Sequence, residues 1–153
     1  MSRNSGGEMA MPRMTTDQMT RFLERTRQAI LLTNTEDGTA HGVPVWFDWD
    51  GEAVQFFSGS GAPKVARIAN DRRISILVTN TIDEAPAWVC FEGQAQIDLN
   101  ADAKALAVDV LAPRYWDLDV PEYAAIVDQW TQAPDDAFVV IRLVPEQIRS
   151  SAS

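Results

Sequence analysis

One segment of this sequence, SGSGAPKVAR at 58–67, combines residue types that could hold an anion. Ser58 and Ser60 carry hydroxyl groups, and Gly59 between them lets backbone N–H groups approach a ligand closely. Pro63 suits the first position of a helix, whose free N–H groups would point back toward the loop. The segment therefore has both side-chain and backbone donors for a negatively charged group.

Two cations belong to the same segment. Lys64 follows the proline directly, and Arg67 lies one helical turn further on the same side. Small residues, a helix N-terminus and a lysine are together typical of a phosphate site. The pattern G-x-x-x-x-G-K-[ST] of a P-loop is absent. A solvated turn with a surface lysine explains the same residues, and the local sequence leaves both interpretations open.

The composition limits what else the chain could bind. The formal net charge is -9, which argues against nucleic acid as a general partner, because phosphate backbones need a basic surface. A single cysteine, Cys90, excludes an internal disulfide framework and fits a reducing cytoplasm. A single histidine, His41, makes a multi-histidine metal site improbable. No apolar run reaches the ~18 residues of a membrane helix.

The length of 153 residues suits one domain with one core. Residues 1–14 contain no apolar stretch typical of a signal peptide, and we predict a flexible N-terminal tail there. The single domain is then expected at 15–150. Helical spacing and capping residues predict helices at 16–27, 63–70, 101–112 and 119–132.

Alternation of apolar and polar residues predicts six strands, at 29–33, 43–49, 52–58, 73–79, 87–99 and 137–144. Pro44 has no N–H, so its part of the second strand should lie at an edge or bulge, or face something other than a strand. The long strand at 87–99 should bury one face and leave the other, which includes Trp88 and Cys90, mostly exposed to water. Tight turns favour antiparallel pairing, which predicts a mainly β (α+β) fold: a six-stranded antiparallel barrel with flanking helices.

Three stretches resemble the split-barrel flavin-binding family related to pyridoxamine 5'-phosphate oxidase: GVPVWFDWDGEAVQFFS, APKVARIANDRRISILV and AWVCFEGQAQI. The most specific match is Lys64, seven residues before Asp71, leading into RISILV at 73–78; EGQA at 92–95 is a second marker. The resemblance covers about residues 16–144. It is strongest to the flavin- and deazaflavin-dependent oxidoreductases of actinobacteria.

This resemblance implies a homodimer with FMN or the deazaflavin coenzyme F420 in a groove between the subunits. Lys64 would pair with the cofactor phosphate, and hydroxyls at the turn would donate hydrogen bonds to it. The backbone from Val43 through Pro44 and Val45 to Trp46 would lie along the ring. Trp88 would cover the ring from the partner subunit. At the turn, the local residue types and the resemblance together give these candidate cofactor-binding residues: Ser58, Gly59, Ser60, Lys64 and Arg67.

The expected activity is a cytoplasmic oxidoreductase that transfers a hydride to or from a small conjugated or quinone-like substrate. The ring supplies that chemistry, so no catalytic side chain is required or predicted. The chain ends without the basic segment of a true pyridoxamine phosphate oxidase, so vitamin B6 oxidation is not predicted. The alternatives are a non-catalytic cofactor-binding or sequestering module, and a binder of another planar ligand such as haem or a bilin.

Other chemically capable residues have plainer explanations. We interpret His41 as an incidental surface histidine and Cys90 as a strand residue without a catalytic partner. Trp46 and Trp49 fall on opposite strand faces, and we expect Trp46 at the cofactor groove and Trp49 in the core. Tyr115 and Trp116 could shape a substrate pocket or pack over the barrel end. The carboxylates around the turn at 48–52 lack the spacing of a calcium loop.

Overall fold

The computed structural model describes residues 12–153. In chain order the elements are α1 Thr16–Glu24, β1 Ala29–Asn34, β2 Ala40–Val45, β3 Asp48–Trp49, β4 Val54–Gly59, α2 Pro63–Asn70, β5 Arg73–Thr79, β6 Ala87–Asp98, α3 Ala105–Leu111, α4 Ala112–Tyr115, α5 Pro121–Gln132, β7 Phe138–Leu143 and β8 Gln147–Ala152. None of these helices is long and apolar enough to span a lipid bilayer.

The strands form one antiparallel sheet in the order β2-β1-β5-β6-β7-β4-β3, with β8 paired to β6. The twelve-residue strand β6 links the two halves: its first part lies between β5 and β8, and its last four residues pair with β7. The sheet curls into the split barrel that the sequence predicts. Among the described residues it contains eight strands rather than six, because the predicted strand at 43–49 is divided into β2 and β3 and because β8 was not predicted.

Strand β8 changes the environment of the outer face of β6. Arg149 lies opposite Cys90 in the β6–β8 pairing, and its guanidinium lies 5.5 Å from the Trp88 ring. Cys90 is buried and is therefore an exception on a strand face that was predicted to be mostly exposed. Burial raises the pKa of the Cys90 thiol, which makes it a poor nucleophile. At the far end of the apolar face, Leu99 is 79% exposed and does not belong to the core.

The core fills the space inside the curled sheet, under α1. Its largest fully buried side chains come from five strands and from α2: Leu31, Val54, Phe56, Ile68, Ile76, Val78, Val89, Phe91, Ile141 and Leu143. Trp49, which was predicted in the core, is half-buried and packs against it, with its ring centroid 4.8 Å from that of Phe91.

The segment before the first helix and the end of that helix differ from what the sequence predicts. The predicted tail at 1–14 lies mostly outside the described residues, but Met14 is buried and the Pro12 carbonyl accepts a hydrogen bond from the Ala152 N–H. The packed chain therefore includes residues 12–14 and extends through β8.

Helix α1 ends at Glu24 rather than at residue 27, because Arg27 turns inward to bond the Phe22 carbonyl and the Glu84 carboxylate.

The excursion between β6 and β7 is helical, as predicted, but its first part is a π-helix. In α3 the backbone N–H of Ala112 bonds to the Ala107 carbonyl, five residues back. The helix continues into α4, where Pro113 lies in the first turn. π-Helical turns are rare and often found at functional sites. This one leads directly to Tyr115 and Trp116.

Candidate functional site

The bend between β2 and β3 and the turn between β4 and α2 face a common cavity of about 310 Å³. We call it the aromatic cavity. Its volume falls near the lower end of the roughly 300–1,000 Å³ that is usual for small-molecule sites. The lining residues are Gln28, Pro44, Val45, Trp46, Phe57, Ser58, Gly59, Lys64, Trp116 and Trp130.

The last residues of β2 form one wall of this cavity. β2 is the terminal strand of the sheet order, so the edge position predicted for Pro44 is confirmed. Pro44 is opposite Ile30 of β1 and is exposed, whereas Val45 is buried beneath the cavity. An edge strand tolerates a residue without an N–H, and its free side presents backbone groups to a ligand rather than to another strand.

Aromatic rings from several elements form the opposite walls. Trp46 stacks on Tyr115 with centroids 4.9 Å apart, and it meets Trp116 edge to face at 4.7 Å. Trp130 of α5 lies 5.7 Å from Trp116 and 5.3 Å from Phe57. Offset and edge-to-face contacts at these distances are favourable, so the rings hold each other in place. Trp46, predicted at the cofactor groove, lines the aromatic cavity, and Trp116 directly after α4 and Trp130 of α5 add two further tryptophans.

Lys64 brings the positive charge to the rim of the cavity. It follows Pro63, the first residue of α2, and no described side chain caps that helix end. The pKa of Lys64 is lowered, mainly by burial and then by the nearby Arg67 guanidinium. Arg67 is held by a 2.9 Å hydrogen bond from its Nε to the Thr33 hydroxyl. Neither cation has a carboxylate partner within residues 12–153.

The other predicted site residues divide into three groups. Ser58 is among the residues that line the aromatic cavity, but it is buried and its hydroxyl donates to the Gly59 carbonyl at 3.0 Å. Val43 and Arg67 line a neighbouring cavity that also contains Lys64. Ser60 points elsewhere, donating to the Asp136 carbonyl, and Trp88 lies beneath Arg149 outside the aromatic cavity of its own chain.

Several lining residues were not predicted from the sequence. Gln28 and Phe57 belong to no recognisable sequence motif. Trp130 belongs to α5, which the sequence predicts as a helix without indicating what that helix packs against. The repeat of Tyr123, Val127 and Trp130 at four- and three-residue spacing marks a face of α5, but it does not say what that face contacts. Only the fold brings Trp130 beside the turn at 58–64.

A larger cavity of about 520 Å³ is a weaker candidate. Asp98, Asp135 and Asp136 line it, together with Ser60, Leu99 and other apolar side chains, and no cation is among its lining residues. It suits no anion. The aromatic cavity combines ring-sized apolar walls with a cation that forms no ion pair within residues 12–153.

The match to a known family agrees with the fold and the site. Residues 15–152 match the family model of pyridoxamine 5'-phosphate oxidase. The chain therefore belongs to the pyridoxamine 5'-phosphate oxidase family. A search of the curated proteins finds no match.

Solved structures share the fold at low sequence identity. The conserved hypothetical protein Rv2991 of Mycobacterium tuberculosis is 24% identical, with a TM-score of 0.68 over 91% of this chain and 85% of that one. HutZ, the haem storage protein of Vibrio cholerae, is 17% identical, with a TM-score of 0.66 over 89% and 94%. An F420 reductase is 20% identical, with a TM-score of 0.57 over 84% and 93%.

Proposed function

We propose that this protein is an oxidoreductase that binds FMN or the deazaflavin coenzyme F420 and transfers a hydride to or from a small conjugated or quinone-like substrate. The observation that supports it most is Lys64. This lysine lies at an uncapped helix start, has no carboxylate partner in the described chain, and lines a cavity walled by tryptophans. The family match and the likeness to an F420 reductase point in the same direction.

The residues present fit a flavin-type group. The Lys64 ammonium would hold the phosphate, helped by N–H groups at the start of α2. The Ser58 hydroxyl could join them only by leaving the Gly59 carbonyl, to which it donates in this structure. The free side of β2 from Val43 to Trp46 would position the ring, and Trp116 and Trp130 would exclude water from it. When bound, the ring would supply the hydride chemistry. The residues of the chain itself would bind the group and orient its ring.

The same proposal includes a homodimer with the groove at its interface. Trp88 does not reach the aromatic cavity of its own chain, so it could cover a ring only in a second copy. On the outer sheet face, Ile30 lies between Pro44 of β2 and Leu77 of β5 and is 36% exposed. This apolar face on β1 and β2, close to the cavity wall, is suited to contact with a second chain.

Replacing Lys64 with alanine tests the phosphate assignment. A charged hydrogen bond contributes about 1.5–3 kcal/mol, so Lys64→Ala should raise the Kd of the preferred cofactor roughly 10- to 100-fold. The matched control is Lys104→Ala, since Lys104 bonds Thr131 and Asp135 outside the cavity. Absorbance titrations with FMN and with the deazaflavin coenzyme give the Kd values. Unchanged affinity for both cofactors in Lys64→Ala would refute the assignment.

A second candidate function is binding without turnover. It is supported because the aromatic cavity offers walls for a planar ring and one cation, Lys64, and binding alone needs no more. The fold likeness to the haem storage protein HutZ extends this candidate to haem. Anaerobic mixing of the reduced cofactor with a quinone distinguishes the two: reoxidation faster than in protein-free buffer indicates an enzyme. Tight binding without reoxidation of any acceptor tested indicates a binding module.

A further inference from the structure

The cavity of about 520 Å³ lies where the core of the barrel meets the helical excursion between β6 and β7. We call it the acidic cavity. Two of its wall residues, Val65 of α2 and Ile97 of β6, pack against the barrel core. Two others, Ala101 and Phe138, pack against a separate apolar cluster that includes side chains of α3. The cavity is therefore a gap between two packed clusters, and no described side chain fills it.

The size and the walls of the acidic cavity suit a small organic molecule. Its volume lies within the roughly 300–1,000 Å³ that is usual for small-molecule sites, which have mostly apolar walls and a few polar groups. Leu99 and Val139 complete the apolar lining. Leu99 is 79% exposed and belongs to neither packed cluster. A ligand in the cavity would remove this apolar area from water, which is favourable.

The charged groups of the acidic cavity all have the same sign. Asp98, Asp135 and Asp136 line it, and no lysine, arginine or histidine is among its lining residues. Lys104 lies 3.5 Å from Asp135, but the other two carboxylates form no ion pair within residues 12–153. Carboxylates gathered around a concave apolar space attract cations into it.

Hydrogen bonds hold this acidic rim in place. Asp98 Oδ1 accepts from two backbone N–H groups of the turn after β6, at 3.0 and 3.2 Å. The Ser60 N–H bonds the Ala137 carbonyl at 2.9 Å, and the Ser60 hydroxyl donates to the Asp136 carbonyl. The loop before β7 is therefore tied to the turn before α2. These bonds use the backbone of Asp136 and leave its carboxylate available to a ligand.

We propose that the acidic cavity is a binding site for a small organic cation, in which an ammonium or guanidinium group is attached to an alkyl or aryl body. The body would fill the gap between Val65 and Phe138, and the cation would lie near Asp98 and Asp136. No residue lines both this cavity and the aromatic cavity, so the site does not depend on the proposed function. The aromatic cavity carries a cation, so the two cavities select ligands of opposite charge.

The test compares three ligands that share a carbon skeleton and differ in charge. At neutral pH 3-phenylpropylamine is a cation, 3-phenylpropanol is neutral and 3-phenylpropanoate is an anion. Each is titrated into the protein by calorimetry. Tryptophan fluorescence is a second readout, because the Trp130 ring lies 6.1 Å from that of Phe138. The amine should bind about tenfold or more tightly than the carboxylate, with the alcohol between them.

Two variants locate the ligand in the acidic cavity. Asp136→Asn should raise the Kd of the amine about twofold to fivefold and that of the alcohol by less. Leu99→Ala should weaken the amine and the alcohol alike, about twofold to tenfold, because it removes part of the apolar wall. Since Leu99 is exposed and lies outside both packed clusters, this variant keeps the fold.

Asp128→Asn is the matched control. It removes the same charge from an exposed position of α5 that lines neither cavity, and it should leave the Kd of the amine unchanged. Equal effects of Asp128→Asn and Asp136→Asn would overturn the site, because they would show only a general attraction to an acidic chain. A wild-type protein that binds none of the three ligands, or that binds the carboxylate as tightly as the amine, would overturn it as well.

Discussion

At the level of single residues, the Tyr115 hydroxyl connects parts of the chain that are far apart in sequence. It donates to the Arg27 carbonyl at 2.5 Å and accepts from the Phe47 N–H at 3.2 Å. Its ring stacks on Trp46, so the residue supports one wall of the aromatic cavity from behind. Burial raises the pKa of Tyr115, so the hydroxyl stays protonated and available as a donor near neutral pH.

Tyr115→Phe should therefore destabilise the protein by about 1–3 kcal/mol, because it leaves two partly buried backbone groups without their partner. Denaturant unfolding followed by tryptophan fluorescence measures the change. Tyr123→Phe is the matched control: the Tyr123 ring also stacks, on Trp116, but its hydroxyl makes no hydrogen bond in the described structure. We expect the control to change stability by less than about 0.5 kcal/mol. Equal effects of the two variants would refute this role of the hydroxyl.

At the level of elements, the β1–β2 hairpin positions the strand that borders the aromatic cavity. Its turn contains Asp37, which accepts hydrogen bonds from the Thr35 hydroxyl and the Thr39 N–H, and Gly38, whose φ of 86° suits glycine. The Thr35 hydroxyl and then the Thr39 N–H lower the pKa of Asp37 from 3.8 to about 2. The ionised carboxylate therefore favours the folded hairpin.

This shift gives a pH dependence with a definite sign. Because the folded pKa is the lower one, the contribution of Asp37 is fully present above about pH 4 and is lost as the pH falls through about 2. Asp37→Ala should lower the Tm at pH 6, and its difference from the wild-type protein should shrink between pH 4 and pH 2. Glu36→Ala, in the same turn, is the control and should show no such convergence. A constant Asp37→Ala difference across this range would contradict the prediction.

The elements also show what the sequence could predict. Helix α2 and strand β5 have the predicted bounds, because a first-turn proline and a short run rich in apolar, β-branched residues are local signals. Strand β8 was missed because its sequence, QIRSSA, has one large apolar residue and becomes a strand only by pairing with β6. Lys64 was predicted from local chemistry. Trp130 could not be assigned to a site, because its neighbours come from other elements.

At the level of the whole molecule, the proposed homodimer makes a prediction about the outer face of β1 and β2. Sedimentation should show two associated chains rather than a 17.0 kDa monomer. Ile30→Glu should dissociate them and weaken cofactor binding, since it puts a charge into the apolar face. Ile82→Glu is the control, because Ile82 is fully exposed in the loop between β5 and β6 and should tolerate the charge. A monomeric wild-type protein that binds its cofactor tightly would contradict the dimer.

The most direct test of the central claim is a crystal structure of the protein with FMN or the deazaflavin coenzyme bound. We predict the ring in the aromatic cavity, along the backbone from Val43 to Trp46 and beside Trp116, with a phosphate oxygen within hydrogen-bonding distance of Lys64 Nζ. A ring bound elsewhere, or a phosphate held without Lys64, would contradict it.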